Sequence, residues 1–139
     1  MEKTITVETI VHADISAVWK AWITPEDIVQ WMHAEDSWEC PKAENDVKVG
    51  GHFSFIFAAK DKSASFDFNG VYTAVVPNEL LAYTIEGGRT VTVAFADSQD
   101  GVRIAETFEM ETQNTEEKQR AGWQAILNNF KAHVEGATK

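Results

Sequence analysis

The last amphipathic segment constrains this chain most. Between Glu117 and Val134 the apolar residues are Trp123, Ile126, Leu127, Phe130 and Val134, the i, i+3, i+4, i+7, i+11 spacing of one helical face. Almost everything from Val47 to Glu111 alternates instead with the two-residue period of a β-strand. One long helix after a run of strands has a single large apolar surface to cover, the face of the sheet. If that sheet curves, a cavity is left beneath the helix.

Length and charge bound what such a chain does. With 139 residues, 44% apolar and 24% charged, it reads as one globular domain spanning 1–139. A net charge of −10 opposes binding to nucleic acid or to an anionic membrane surface, both of which need clustered Lys and Arg. Cys40 is the one cysteine, so no internal disulfide forms. The start, Met1-Glu2-Lys3-Thr4, lacks the apolar core of a signal peptide, and no apolar run approaches the ~20 residues of a membrane helix. The expected location is the cytoplasm, without membrane insertion.

Thr4 to Val11 alternates as a strand, with Ile5, Val7, Thr9 and Val11 on one face. Asp14 or Ser16 caps a short helix carrying Ile15, Val18, Trp19 and Trp22. Thr24-Pro25 opens a second, whose apolar residues are Ile28, Trp31 and Met32. His33 to Asn45, polar and containing Pro41, reads as a loop, and Asp46 to Val49 as a short strand before Gly50-Gly51. Strands follow over His52–Lys60, Phe66–Val76, Leu80–Glu86, Arg89–Ala96 and Val102–Glu111. Gly70 inside the second of these predicts a bulge or bend. Asn114 with Glu117 resembles a capping box, and Gly136 fits a helix stop. Short connections make the strands an antiparallel meander. The fold class is α+β: a curved antiparallel sheet around a long C-terminal helix, with two short helices between strands 1 and 2.

Several motifs carry a resemblance. They are Val18-Trp19-Lys20-Ala21-Trp22 with Thr24-Pro25-Glu26 and Trp31; Val49-Gly50-Gly51 with Phe53; Asn69-Gly70-Val71-Tyr72; Leu80-Leu81-Ala82-Tyr83-Thr84; Glu106-Thr107-Phe108; and Gln119-Arg120 through Gly122-Trp123-Gln124-Ala125-Ile126-Leu127. Over essentially the whole chain the sequence resembles the SRPBCC superfamily (START and birch-pollen-allergen-like proteins). Within it, the chain is similar to homologues of the heat-shock-protein-ninety ATPase activator C-terminal domain. The position before the first helix, commonly Ala-Pro there, is Ala13-Asp14 here. The resemblance implies the helix-grip fold and a cavity for apolar or amphipathic small molecules; some relatives are cyclases or hydrolases. A co-chaperone role does not follow from the match alone.

Glu106 is the sharpest candidate for chemistry. It shares a strand face with Val102, Ile104, Phe108 and Met110, so its carboxylate points where those apolar side chains point. Buried there it pairs with an arginine or joins a Tyr or Trp network, or it meets a ligand, or it serves as general acid or base. The candidate cavity wall comprises Trp31, Trp38, Phe53, Phe55, Phe66, Phe68, Tyr72, Tyr83, Phe95, Phe108, Trp123, Leu127 and Phe130 with Glu106. Arg89 is a further polar candidate. No metal or cofactor is expected, because His12, His33, His52 and His133 are scattered and no Cys pair exists. His33 and His133 read as solvated, His52 as facing outward, and Cys40 as a packed thiol beside Trp38.

The expected function is non-covalent binding of a small hydrophobic or amphipathic molecule, lipid- or polyketide-like, between helix and sheet. Two alternatives stay open: a cyclase or hydrolase using Glu106, and a stress-response or co-chaperone interaction module. A homodimer is compatible with the sequence, but no feature predicts one.

Overall fold

A computed structural model describes residues 3–137. Seven strands form one antiparallel sheet: β1 (Thr4–Val11), β2 (Trp38–Asn45), β3 (His52–Ala59), β4 (Ser65–Val76), β5 (Leu80–Ile85), β6 (Thr90–Ser98) and β7 (Gly101–Glu109). Their spatial order is β1-β7-β6-β5-β4-β3-β2, a meander from β2 to β7 with β1 returned to the far edge. The sheet is curved into a half-barrel. Helices α1 (Ile15–Ile23) and α2 (Pro25–Trp31) lie between β1 and β2, and α3 (Glu116–Ala137) follows β7.

Local chemistry explains most boundaries. Asp14 caps α1 by accepting from the Ser16 amide at 3.2 Å. Thr24 ends α1 and begins α2, whose first residue is Pro25, so the two helices meet without a loop. The Asn45 side-chain amide donates to the freed Ile23 carbonyl at 2.8 Å. The α3 cap is Thr115, one residue after the expected Asn114: its hydroxyl accepts from the Lys118 amide at 3.1 Å. Asn114 instead donates to Glu111. The helix also runs through Gly136 rather than stopping there.

Two segments differ from the sequence expectation. His33–Asn45 was expected as loop, but Trp38–Asn45 is the edge strand β2. Proline disfavours a strand because it cannot donate to the ladder; here Pro41 sits in a register shift between Glu39 and Lys42, where no donation is required. Asp46–Val49, expected as a strand, is a turn. The Gly51 amide closes it on the Lys48 carbonyl at 2.8 Å, and a side chain at Gly51 would strike the Asp46 carbonyl. Gly70 is not itself the bulge, which falls between Tyr72 and Ala74. It is needed for closeness, since a Cβ there would lie 2.5 Å from the Thr84 carbonyl oxygen and 2.8 Å from the Phe53 ring.

The C-terminal half of α3 anchors the core. Leu127 and Phe130 are fully buried, and the Phe130 ring lies 4.8 Å from those of both Trp22 and Trp31. Burying a side chain of this size contributes ~2–3 kcal/mol. The polar side of α3 is equally constrained. β1 is an edge strand, so every second carbonyl lacks a sheet partner. Arg120, Gln124 and Lys131 donate to the carbonyls of Thr6, Glu8 and Ile10 at 3.0, 3.1 and 2.6 Å, and Glu135 accepts from the His12 amide at 2.9 Å. The helix is thereby hung along the β1 edge, where it makes its closest approach to the sheet.

Candidate functional site

On the same inner face, at the end of the sheet away from β1, β3, β4 and β5 present an aromatic surface to the interior. Phe53 is its centre, with ring centroids 5.0 Å from Phe55, 5.7 Å from Phe68, 5.4 Å from Tyr72 and 4.9 Å from Tyr83. The N-terminal half of α3 contributes Lys118, Gly122 and Ile126, at four-residue steps, and Gln119 and Trp123 beside them. These two surfaces bound a cavity of about 500 Å³. The helix is close to β1, where its polar side chains cap the edge, and stands off from β3–β5. Trp123 spans the gap, lying flat on Phe108 of β7 at 4.0 Å and edge-on to Phe68 of β4 at 6.1 Å.

Of the residues expected on the wall, Trp31, Trp38, Phe53, Phe55, Phe66, Phe68, Tyr72, Tyr83, Glu106 and Trp123 line the cavity. Phe95, Phe108, Leu127 and Phe130 do not: they are buried in the packed core. Phe95 lies edge-on to Trp19 and Trp22, and Phe108 is covered by Trp123. Strand parity put them on the correct face, but the rings of α1 cover Phe95 and the Trp123 ring covers Phe108. Phe66 reaches the cavity from the rim, 52% exposed, stacked on Phe57 at 4.9 Å. Phe57, Trp22, Ala34, Glu35, Glu111, Asn114, Lys118, Gln119, Gly122 and Ile126 also line it and were missed. Phe57 shares the parity of Phe53 and Phe55 and was within reach of that argument. Trp22 and Ile126 lie on the apolar faces of their helices and were within reach too; the loop residues and the polar positions of α3 left no such signal.

The buried polar side chains of the cavity are Glu106, Gln119, Tyr72 and Tyr83. Glu106 is 6% exposed and faces Val7 and Val93 across the ladder. Among the described residues none donates a hydrogen bond to its carboxyl or pairs with it, so the arginine or tyrosine partner considered for it is not there. Burial alone pushes its pKa from 4.5 to about 8, so the carboxyl is mostly protonated at neutral pH. The Tyr83 phenol is raised well above its ordinary value by burial and then by Glu106 and Tyr72. Tyr72 donates to the Asn45 side-chain oxygen at 2.6 Å; burial raises its pKa, and that bond opposes the rise in part. Gln119, also buried, is fully engaged: its amide donates to the carbonyls of Glu111 and Asn114, and its oxygen accepts from the Glu111 amide. Arg89 donates to the Glu109 carbonyl at 3.1 Å.

Other candidates lie elsewhere. Cys40 is buried, its thiol 3.4 Å from the Lys42 carbonyl, and burial pushes its pKa up. His52 is exposed. His33 and His133, expected in solvent, are half-buried: the His33 Nδ1 has no partner, and His133 lies 2.9 Å from the Asp27 carboxylate. Among the described residues no three His, Cys, Asp or Glu side chains gather as a metal site would require. None of the described helices is long and apolar enough to cross a membrane.

Comparison with known proteins agrees with this architecture. Residues 12–135 match the family model for Activator of Hsp90 ATPase homolog 1-like proteins. The solution structure of an AHSA1-like protein from Aeromonas hydrophila is 42% identical; the match covers 98% of this chain and 94% of that one, with a TM-score of 0.92. A solution structure from Cytophaga hutchinsonii is 47% identical, covering 97% and 94%, with a TM-score of 0.83. A crystal structure from Chromobacterium violaceum is 26% identical, covering 96% and 98%, at 0.86. No curated protein matches the sequence significantly.

Proposed function

The chain belongs to the Activator of Hsp90 ATPase homolog 1-like family, and on that premise we propose that it binds a small hydrophobic or amphipathic molecule non-covalently in the cavity between α3 and the sheet. A domain of this family is in general a ligand-binding or co-chaperone-type module. The observation that carries the finer reading is the cavity itself: about 500 Å³ of space whose wall is built largely of aromatic rings, with Glu106, Gln119, Tyr72 and Tyr83 as its buried polar side chains. Each 100 Å² of apolar ligand surface buried there contributes ~2.5 kcal/mol before the costs of association. Glu106 and Tyr83, whose polar atoms have no partner among the described residues, orient the ligand's polar end. A lipid- or polyketide-like molecule fits this balance. Cys40, a free buried thiol, fits a cytoplasmic protein.

A second reading has one observation in its favour. A buried carboxyl with a pKa of about 8, beside the unpartnered Tyr83 hydroxyl, has the properties of a general acid or base working near neutral pH in a cyclase or hydrolase. The co-chaperone reading has less support, since the exposed large apolar residues Ile10, Val49, Phe66 and Val76 are dispersed over β1, the loop before β3 and the two ends of β4.

A thermal-shift screen with lipids, flavonoids and polyketide-like compounds tests the binding reading. Compounds near 100 times their Kd raise stability by ~2.7 kcal/mol, a clear shift. Gly122→Phe is the control: a Cβ at Gly122 meets nothing within 4 Å, so the ring enters the cavity and removes the response. A screen in which no compound moves the wild type, or hits that survive Gly122→Phe, refutes the reading.

A further inference from the structure

We infer that the ligand of this cavity is an amphipathic organic cation, a hydrophobic amine or quaternary ammonium whose charge sits beside the Glu106 carboxylate and against the faces of the surrounding rings. The inference rests on the binding reading above and names the chemistry of what is bound.

Three observations meet at this point. First, four tryptophans line the cavity, Trp22, Trp31, Trp38 and Trp123, of which Trp38 and Trp123 are the more open and Trp31 is packed behind them at 1% exposure. Aromatic faces carry negative potential, and indole is the strongest of the common rings in holding a cation within about 6 Å. An aliphatic wall would serve a neutral lipid equally well and would hold no charge. Second, Glu106 is more than nine-tenths buried and opens onto this space, and among the described residues no cation pairs with its carboxyl and no group donates a hydrogen bond to it. A carboxylate in that position has two ways to avoid an uncompensated charge: to hold its proton, or to receive a positive charge from outside. Burial raises its pKa in keeping with this. Third, an anionic ligand has little to meet it. The basic residues on the wall are Arg89, which is bonded to the Glu109 carbonyl, and Lys118, which is exposed at the helix surface. Glu35 and Glu111 add negative charge to the same wall, and the chain as a whole carries −10. A ligand that enters positive is drawn in, and one that enters negative is repelled.

The inference has a proton signature. Binding a fixed cation favours ionised Glu106, so the protein releases a proton on binding below the Glu106 pKa, and affinity rises with pH until that pKa is passed. The titratable or charged groups sharing the cavity are Tyr72 and Tyr83 on the sheet, Arg89 before β6, Glu111 after β7, Lys118 on α3 and Glu35 after α2. The Glu106→Gln variant separates its contribution from theirs.

The test is a set of three probes of one shape: a naphthylmethyl trimethylammonium, its neutral isostere with tert-butyl in place of the ammonium, and naphthylacetate. Each is titrated into the wild type and into Glu106→Gln at pH 6 and pH 9, followed by calorimetry and by amide chemical shifts. The ammonium is expected to bind the wild type at pH 9 at least tenfold more tightly than the isostere, and at least tenfold more tightly than at pH 6. In Glu106→Gln both differences vanish while the isostere still binds, which shows the variant is folded with its cavity intact. Equal binding of ammonium and isostere, or a preference for naphthylacetate, overturns the cation inference and leaves the binding reading standing. Failure of all three probes to bind the folded wild type overturns both.

Discussion

Replacing Glu106 with Gln should make the protein more stable, and increasingly so as pH rises. In the unfolded chain the carboxyl titrates near 4.5; in the folded protein, at about 8. Between those values the folded state holds a proton that the unfolded state has released. Stability therefore falls with rising pH, by about 1.4 kcal/mol for each pH unit, and is fully lost for this group only above the folded pKa. At pH 7 the penalty amounts to ~3 kcal/mol. Gln keeps the shape and neutrality of the protonated acid and escapes the penalty. Its advantage over the wild type should be below ~1 kcal/mol at pH 5, ~3 at pH 7 and ~5 at pH 9. For a chain of 139 residues the pH 7 difference is about 10 °C in Tm. Denaturant unfolding at the three pH values, followed by tryptophan fluorescence, measures it. If the wild type and Glu106→Gln keep a constant difference across the range, Glu106 is not the isolated buried acid described here. A less stable Gln variant at pH 9 would show that the ionised carboxylate has a partner in the protein. A bound organic cation should narrow the gap at high pH by stabilising the wild type more than Glu106→Gln.

Two further outcomes follow from the packing. Gly70→Ala should cost ~1–3 kcal/mol in a denaturant titration, because the new methyl meets the Thr84 carbonyl, which cannot rotate away; a neutral effect would mean that β4 and β5 are free to separate there. Removing both Arg120 and Gln124 side chains by alanine substitution should cost ~2 kcal/mol, from two exposed hydrogen bonds to the Thr6 and Glu8 carbonyls. It should also speed hydrogen exchange in β1 and α3 ahead of β3–β5; uniform acceleration over the sheet would refute a local role for this seam.

Much of this molecule was legible in its residues. Alternation placed β1 and β3–β7, the proline and the acidic residues at 25–27 marked the start of α2, and the spacing of Trp123, Leu127, Phe130 and Val134 located the grip helix. Strand parity also put Glu106 on the inner face, because a two-residue period leaves no other choice once Ile104 and Phe108 are buried. β2 was hidden because Pro41 is incompatible with a central strand, and nothing local shows that this strand lies at an edge with a bulge. Phe95 and Phe108 were misplaced for a related reason. Parity says which face a side chain is on but not how far away the opposite surface stands.

That distance was decided by tertiary structure alone. The apolar stripe of α3 required a sheet beneath it, and the sequence by itself determined as much. Which strand the helix would hug was set by its polar side, where Arg120, Gln124, Lys131 and Glu135 find the unpaired groups of the β1 edge. Unsatisfied edge carbonyls and long polar side chains are 110 or more residues apart in the chain and meet only once the sheet has curved. With the helix held at that edge, its C-terminal half closes the core around Phe130. Its N-terminal half is left standing over the aromatic strands. The cavity, and the unpartnered Glu106 within it, follow from that tilt.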